Sequence, residues 1–191
     1  MKVIDGTMMS ETEGSEEDKK EIKNLIDKST PSSDSKFCLT KIEDEAGWTY
    51  ITAKNKESEF LIKYSSCMFD TSILIKFFAK IIDCKEDAAV IIDYEGSEPI
   101  FYVTPVNENK IRLIYAHDYD LFLNDDVNEY NRSDYKIECD IIIDKKEILE
   151  NFYNIFYPFT INYNLEKAYE PMFNLEKGKK YLNEIKAYLE K

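Results

Sequence analysis

A run of carboxylates and large apolar side chains lies between Asp118 and Asn131, and its residue types suit the binding of another protein. The run contains five acids and no base. Carboxylates attract and orient a positively charged partner, while aromatic and aliphatic groups supply the buried area of an interface. We therefore predict a partner-binding site consisting of Asp118, Asp120, Phe122, Asp125, Asp126, Glu129 and Tyr130.

The same segment allows a second interpretation. Leu121, Phe122 and Leu123 could pin a short extra helix or edge strand to the core and leave the acids in water. The connection between the two predicted strands is about nineteen residues long. Connections of that length are uncommon in compact domains and are typical of functional or disordered loops.

Calcium is the metal that this acidity suggests. An EF-hand loop needs oxygen ligands at its first, third and fifth positions, glycine at the sixth and glutamate at the twelfth. Counted from Asp118, the fifth position is Phe122; counted from Asn124, the sixth is Glu129 and the twelfth is Tyr135. Neither register fits, so we expect no metal and no other cofactor, with a divalent-metal enzyme using carboxylates kept as an alternative.

Nucleophilic catalysis would have to use the single histidine, His117. Cys67 precedes a predicted helix whose N-terminus could lower the pKa of its thiol, so a Cys67–His117 dyad is one arrangement to test. No local signature supports it. The five glycines are too widely spaced for a dinucleotide-binding or phosphate-binding loop. We expect a protein that is not an enzyme.

Net charge narrows the class of partner. The chain carries a formal charge of -13, and the stretch from Glu86 to Asp144 holds fifteen acids and four bases. The remaining residues are close to neutral, with 23 acids and 21 bases. Such a stretch attracts basic proteins or cations and repels nucleic acid. We predict a basic protein partner and no nucleic acid.

The cysteines and the apolar runs indicate the compartment. The four cysteines form no CxxC pair and their spacing matches no zinc template. No apolar run approaches the roughly 18 residues that span a bilayer, and residues 1–14 lack the apolar core of a signal peptide. We expect a cytoplasmic protein with reduced thiols that does not contact a membrane.

Period-two patterns predict the strands that must position these residues. One of them, 88–94, is an apolar run broken only by Asp93, which is typical of a strand covered on both faces. In the last, Ile137, Cys139, Ile141 and Ile143 alternate with polar residues and should face one way. Gly47 is expected to take a positive φ in the turn after the first strand. The predicted strands are 37–42, 48–53, 60–64, 88–94, 100–103, 111–115 and 135–143.

Capping residues and 3–4 periodicity predict four helices. The first begins at Ser15 and ends by Thr30, with a thin apolar stripe that would hold it weakly. Asp70 caps a helix over 71–83, and Asp144 caps one that Pro158 ends. The last runs over 175–189, after an irregular stretch from 160 to 171.

Short connections between successive strands favour antiparallel pairing, so these elements predict an α+β fold. We expect a single domain with a mainly antiparallel sheet, helices packed on one face and an extra C-terminal helix. Residues 1–15 should form a mobile acidic tail, and residues 16–191 the domain. Its core should span about 36–157, followed by a C-terminal helical extension over 158–191.

Three stretches of the chain are similar to features of a known protein family. Phe60–Tyr64 leads into the helix over 70–83, Val90–Gly96 is an apolar strand ending in a turn, and Cys139–Leu149 joins a strand to a capped helix. In these features, over about residues 36–157, the chain resembles the small acidic immunity proteins of bacterial polymorphic toxin systems. The resemblance implies a bacterial, non-catalytic inhibitor that binds a basic toxin, such as a nuclease, in the cell that makes both. No binding residue is carried over from the family.

The sequence leaves open one further class of function besides the metal-dependent enzyme. A structural or regulatory module could use its tyrosine-rich C-terminal third to form homo-oligomers, since tyrosine suits half-buried interfaces.

Overall fold

The computed structural model describes residues 1–6, 11–32, 36–56, 58–92, 98–118, 135–163 and 173–191. Within these ranges the chain has four helices, a mixed six-stranded sheet and an antiparallel three-stranded sheet. The predicted α+β class is confirmed.

Nine strands and four helices follow one another in this part of the chain. The strands are β1 (Lys2–Asp5), β2 (Thr12–Glu13), β3 (Cys38–Glu45), β4 (Trp48–Lys54), β5 (Glu59–Ser65), β6 (Ala88–Ile91), β7 (Ile100–Pro105), β8 (Lys110–Asp118) and β9 (Tyr135–Asp144). The helices are α1 (Glu16–Lys28), α2 (Thr71–Lys80), α3 (Lys145–Asn162) and α4 (Leu175–Leu189).

The larger sheet has the order β2-β1-β6-β7-β8-β9. β1 pairs with β6 in parallel, and the other four pairs of neighbouring strands in this sheet are antiparallel. Successive residues of the central strands point to opposite faces of the sheet and belong to two separate hydrophobic clusters. Val90 belongs to the main cluster and Ala89 to the smaller one. Both faces of this sheet are therefore covered. The apolar run over 88–94 predicted this for the strand that it forms.

One face of the larger sheet packs against α2 and α3. Phe78 of α2 stacks on Phe152 of α3 with ring centroids 4.0 Å apart and meets Phe101 of β7 edge-on at 5.5 Å. The inner face of the three-stranded sheet, with Ile51 and Ile62, belongs to the same cluster. These two helices share a face, as predicted.

Helix α1 lies on the opposite face of the sheet from α2 and α3, the two helices for which a shared face was predicted. Ile22 is fully buried among residues of β1, β6, β7 and β8, and Leu25 is buried as well. The helix is thus packed rather than weakly held. Its thin stripe is sufficient because a few large side chains fill the space above the sheet.

Helix α4 is not a peripheral extension. It packs against both α2 and α3 and buries Leu182 and Ile185 in the main core. Gly178 allows this approach, because a Cβ there would lie 2.8 Å from the ring of Phe173 and 3.3 Å from Ile75.

The start of the chain differs from the expected mobile tail. β1 pairs with β6 in parallel and with β2, and Val3 is only 3% exposed. The Gly6 N–H donates to the carbonyl of Ile91, and the Gly14 N–H to that of Val3. The described residues 2–6 and 11–14 are therefore held by the sheet. The sequence did not predict this, because Val3 and Ile4 form an apolar stretch of only two residues.

Pro158 does not end α3, which continues to Asn162. Thr160 is buried, and the ring of Phe159 packs on Phe156, Tyr163 and Phe173. These contacts hold the last turn in place although proline cannot donate to the preceding turn. The predicted irregular stretch therefore begins no earlier than Tyr163, and residues 164–172 lie outside the described residues.

Strand β9 contains a bulge that reverses its alternation. Tyr115 pairs with Cys139 and Ala116 with Ile137, so Glu138 is an extra residue. Cys139, Ile141 and Ile143 belong to the main cluster, whereas Ile137 packs against the α1 side. The prediction that all four face one way is wrong for Ile137, because one inserted residue shifts the period-two pattern.

Candidate functional site

The structure describes only one residue of the predicted partner-binding site. Asp118 is the last residue of β8. Asp120, Phe122, Asp125, Asp126, Glu129 and Tyr130 lie outside the described residues, as does the alternative helix or strand at Leu121–Leu123. Their roles stay predictions.

The two ends of this segment are described, and they meet. Asp118 and Tyr135 are register partners at the end of the β8–β9 pair, and β9 is the outermost strand of the larger sheet. The sixteen intervening residues therefore leave and return at one corner of the molecule. They comprise five acids (Asp120, Asp125, Asp126, Glu129 and Asp134) and one base, Arg132.

A cluster of polar side chains fixes this corner. The Glu138 carboxylate accepts hydrogen bonds from Lys136 Nζ at 2.5 Å and His117 Nε2 at 3.0 Å, and its side chain is only 15% exposed. Burial by itself would raise the pKa of Glu138, but the bonds and charges of Lys136 and His117 outweigh it and lower that pKa. Asn55, at the end of β4, donates to the Glu138 carbonyl at 3.0 Å. The bulge thus ties both sheets together beside the segment.

A second ion pair holds the same strands to α1. Arg112 on β8 donates from Nε and Nη2 to the two oxygens of Asp140 on β9, at 2.9 and 2.8 Å. Its Nη2 also donates to the hydroxyl and the carbonyl of Ser29, the C-cap of α1. The hydrogen bond to Asp140 is the main cause of a raised pKa for Arg112.

These contacts narrow the acidic surface that the sequence suggested. Of the fifteen acids between Glu86 and Asp144, eight lie in described residues. Glu86, Glu138 and Asp140 form ion pairs, and Asp144 caps α3 by accepting from the Lys146 N–H. These four are already partnered, so fewer of the acids in this stretch are available to a partner than the sequence alone suggests.

The structure separates the two members of the possible catalytic dyad. Cys67 follows β5 and lies near Gly47, at the end of the β4–β5 pair where Trp48 meets Ser65. His117 bonds to Glu138, whose carbonyl contacts Asn55 at the other end of that pair. A seven-residue strand is about 20 Å long, so Cys67 and His117 do not form a dyad.

The surroundings of Cys84 and Cys139 disfavour them as nucleophiles, and the described ranges contain no metal-binding cluster. Burial raises the pKa of Cys139 to about 12 and also raises that of Cys84, whose thiol donates to the Glu86 carbonyl. A raised pKa disfavours the nucleophilic thiolate. No group of three or more His, Cys, Asp or Glu side chains in this part of the chain could hold a metal ion.

A cleft of 780 Å³ lies where β1 meets the C-terminal ends of α2 and α4. Its size is typical of small-molecule sites. Its apolar residues include Ile4, Phe77 and Tyr188, and its charged ones are Lys2, Lys76, Lys80, Lys85, Lys191, Glu11, Asp83, Glu86 and Glu184. The nearly balanced charge favours neither an anion nor a cation. Sequence reasoning missed the cleft because the segment treated as a tail forms one of its walls.

Glu11 closes one side of this cleft. Its carboxylate accepts from Lys76 of α2 and, at 3.1 Å, from Lys177 of α4. Burial opposes ionisation of Glu11, but the two lysines outweigh it and lower the pKa of the carboxyl group. The N-terminal segment is therefore clamped across two helices.

No described helix is both long enough and apolar enough to cross a bilayer. Comparison of the chain with family models, with curated proteins and with solved structures finds no match.

Proposed function

We propose that this chain is a non-catalytic binding protein of the inhibitor or immunity type. It neutralises a basic protein, such as a nuclease toxin, through the acidic segment between β8 and β9 in the cytoplasm of the bacterium that makes both. The observation that carries the proposal is the pairing of Asp118 with Tyr135, which anchors sixteen residues with five acids and one base at one corner.

The anchoring gives the charges a common location. A chain of sixteen residues that leaves and returns at one point reaches at most about 28 Å from it. The five carboxylates therefore lie within that distance of the corner, and their fields add. Such a field raises the rate of encounter with a cationic surface and weakens as salt screens it.

The chemistry of the partner follows from that field. A nuclease presents a cationic surface to the phosphates of its substrate. Carboxylates can occupy that surface, and the aromatic groups Phe122 and Tyr130 would supply buried contact area beside them. Binding of this kind blocks the substrate without any reaction, which requires no catalytic residue on this chain.

The rigid surroundings of the anchor favour the same use. The Glu138 cluster and the Arg112–Asp140 pair fix both strands next to the segment. A fixed base reduces the conformational entropy that binding must overcome.

Affinity capture from the native cell at low salt, followed by elution with rising salt, tests the proposal. The bait is compared with Asp125→Lys/Asp126→Lys and with a control of equal charge change, Glu17→Lys/Asp27→Lys, at two exposed positions of α1. A basic protein should bind the wild type and the control. The segment variant should associate with it at least about tenfold more slowly at low salt. Equal association of both variants would contradict the role of the segment.

A second measurement separates inhibition from binding. The captured protein is assayed for its own activity, for example cleavage of nucleic acid, with and without an equimolar amount of this chain. The proposal expects loss of that activity, with recovery when the segment variant replaces the wild type. A complex that keeps full activity would reject the inhibitor function although binding occurs.

A further inference from the structure

The cleft between β1 and the ends of α2 and α4 has an apolar floor. Phe77 and Ala79 are buried, and the half-buried side chains of Ile4, Ile82 and Tyr188 pack against the main core beside them. These residues border a volume of 780 Å³, so a part of the core remains open to solvent here. The apolar body of a small ligand would lose its contact with water on this floor.

Part of the charged rim of the cleft is already neutralised. Lys2 of β1 pairs with Glu86 at 2.6 Å, and Lys76 of α2 bonds to Glu11. These ion pairs join the N-terminal segment to the rest of the fold on two sides of the cleft. They contribute to its walls and leave other charged groups to meet a ligand.

The rest of the rim carries charges of both signs that the protein itself does not pair. Among the residues that the structure describes, none forms an ion pair or a hydrogen bond with the side chains of Lys80, Lys85, Lys191, Asp83 and Glu184. Three ammonium groups and two carboxylates therefore stand around the apolar floor and are available to a ligand.

The two helices add negative potential at the same place. The N–H of Asn174, the N-cap of α4, donates at 3.0 Å to Asp70, the N-cap of α2, so the two helices begin side by side. Both also end at the cleft. The C-terminus of a helix carries a partial negative charge, which favours a cationic group. An ammonium group of a ligand would be attracted there, although lysines stand nearby for an anionic group.

We propose that this cleft binds a small apolar zwitterion. Such a ligand has a bulky apolar body, one ammonium group and one carboxylate, as in an aromatic amino acid or a short apolar peptide with free ends. The body lies on the floor, the carboxylate meets the free lysines, and the ammonium group meets Asp83 or Glu184. A pure anion or cation with the same body would satisfy only one set of charges and would be repelled by the other.

The cleft is separate from the acidic segment of the proposed function. Three strands lie between β1 and β9 in the larger sheet, which corresponds to about 19 Å from strand to strand. A ligand in the cleft would leave the β8–β9 corner as it is. Either proposal can therefore fail without the other.

Titration of the ¹⁵N-labelled full chain, followed by NMR, tests the choice of ligand. The probes are the dipeptide leucyl-phenylalanine, its N-acetylated form, which is only an anion, and its C-terminal amide, which is only a cation. The zwitterion should shift the amide signals of the residues that line the cleft and bind at least about tenfold more tightly than either blocked form. Phenylalanine is a fourth probe: tighter binding of phenylalanine than of the dipeptide identifies a free amino acid as the source, and the reverse order a peptide.

Two variants test the site itself. Asp83→Asn/Glu184→Gln should weaken binding of leucyl-phenylalanine at least about tenfold and remove its advantage over the N-acetylated form. Glu17→Gln/Asp27→Asn makes the same charge change at exposed positions of α1, on the far side of the sheet, and should bind as the wild type does. Ala187→Trp, at an exposed position of the rim, should obstruct the cleft for every probe.

Thermal unfolding of each variant without a probe confirms that it is folded. The proposal is overturned if neither zwitterion binds at about 5 mM, which would leave the free lysines only the role of balancing the helix ends. Equal binding of the zwitterion and its blocked forms would overturn it too. So would unchanged binding in Ala187→Trp, because the probe would then occupy another place.

Discussion

The side-chain amide of Asn151 takes the place of a neighbouring strand for Leu39. The Leu39 N–H donates to Asn151 Oδ1 at 2.6 Å, and Asn151 Nδ2 donates to the Leu39 carbonyl at 3.1 Å. These two bonds join α3 to the outer edge of β3, residues 112 positions apart in the chain. Because the bonds are partly buried, water replaces them poorly.

We therefore expect Asn151→Ala to lower the free energy of unfolding by about 2–3 kcal/mol, since both backbone groups of Leu39 lose their partner. Urea unfolding followed by circular dichroism measures the change. Asn154→Ala, at an exposed position of the same helix, is the control and should cost less than about 0.5 kcal/mol. Equal effects of the two substitutions would show that the amide does not act as a strand substitute.

Glu138 makes the stability of the β8–β9 corner dependent on pH. Lys136 and His117 hold the pKa of Glu138 below its ordinary value of 4.5. The unfolded chain then binds a proton at this position more readily than the folded chain does. The contribution of Glu138 is complete above about pH 4.5 and is lost as the pH falls through the lower, folded value.

Urea unfolding between about pH 6 and about pH 3 checks this dependence. Glu138→Gln should be less stable than the wild type at pH 6, and the difference should shrink as the solution becomes more acidic. Glu150→Gln, at an exposed position of α3, should follow the wild-type curve. A constant difference between Glu138→Gln and the wild type across the range would rule out the proposed linkage.

Local chemistry explains which parts of the fold the sequence predicts well. Asp70 was expected to cap α2, and its carboxylate accepts from the Ser72 N–H at 2.8 Å. Gly47 was expected to take a positive φ, and it has φ of 85°. Both features depend on groups within two or three positions of each other, so the spacing of residue types is sufficient evidence.

Features that depend on distant parts of the chain were not predictable in this way. The parallel pairing of β1 with β6 joins residues more than eighty positions apart, and the extra residue Glu138 leaves no mark in the period-two pattern. The candidate site likewise has one part that the sequence predicts and one part that it does not. Its acids and aromatics are read from the sequence, whereas the meeting of Asp118 with Tyr135 is a property of the sheet.

Gly6 provides a test of the N-terminal strands. A Cβ at this position would overlap the ring of Phe69 and lie 3.0 Å from the Ile91 carbonyl oxygen. Gly6→Ala should therefore destabilise the protein by about 1–3 kcal/mol, because neither the buried ring nor the backbone can move away freely. Thermal unfolding measures the loss, and Thr12→Ala, at an exposed position of β2, serves as the control. An unchanged midpoint for Gly6→Ala would support the original expectation of a tail outside the core.

Pro158 lies inside α3 and destabilises the helix there. Proline has no N–H to donate to the carbonyl of Asn154, one turn earlier, and its ring crowds that carbonyl. The aromatic contacts of Phe159 and the burial of Thr160 maintain the helix beyond it. Pro158→Ala should therefore raise the free energy of unfolding by about 1–3 kcal/mol.

Urea unfolding of Pro158→Ala is compared with that of Asn154→Ala, which measures the effect of alanine on this helix alone. The proline variant should gain clearly more, because it also restores a backbone bond. A loss of stability would mean that the proline positions Phe159 and Tyr163 for their ring contacts. In that case the side-chain packing of the last turn would depend on the residue that was expected to end the helix.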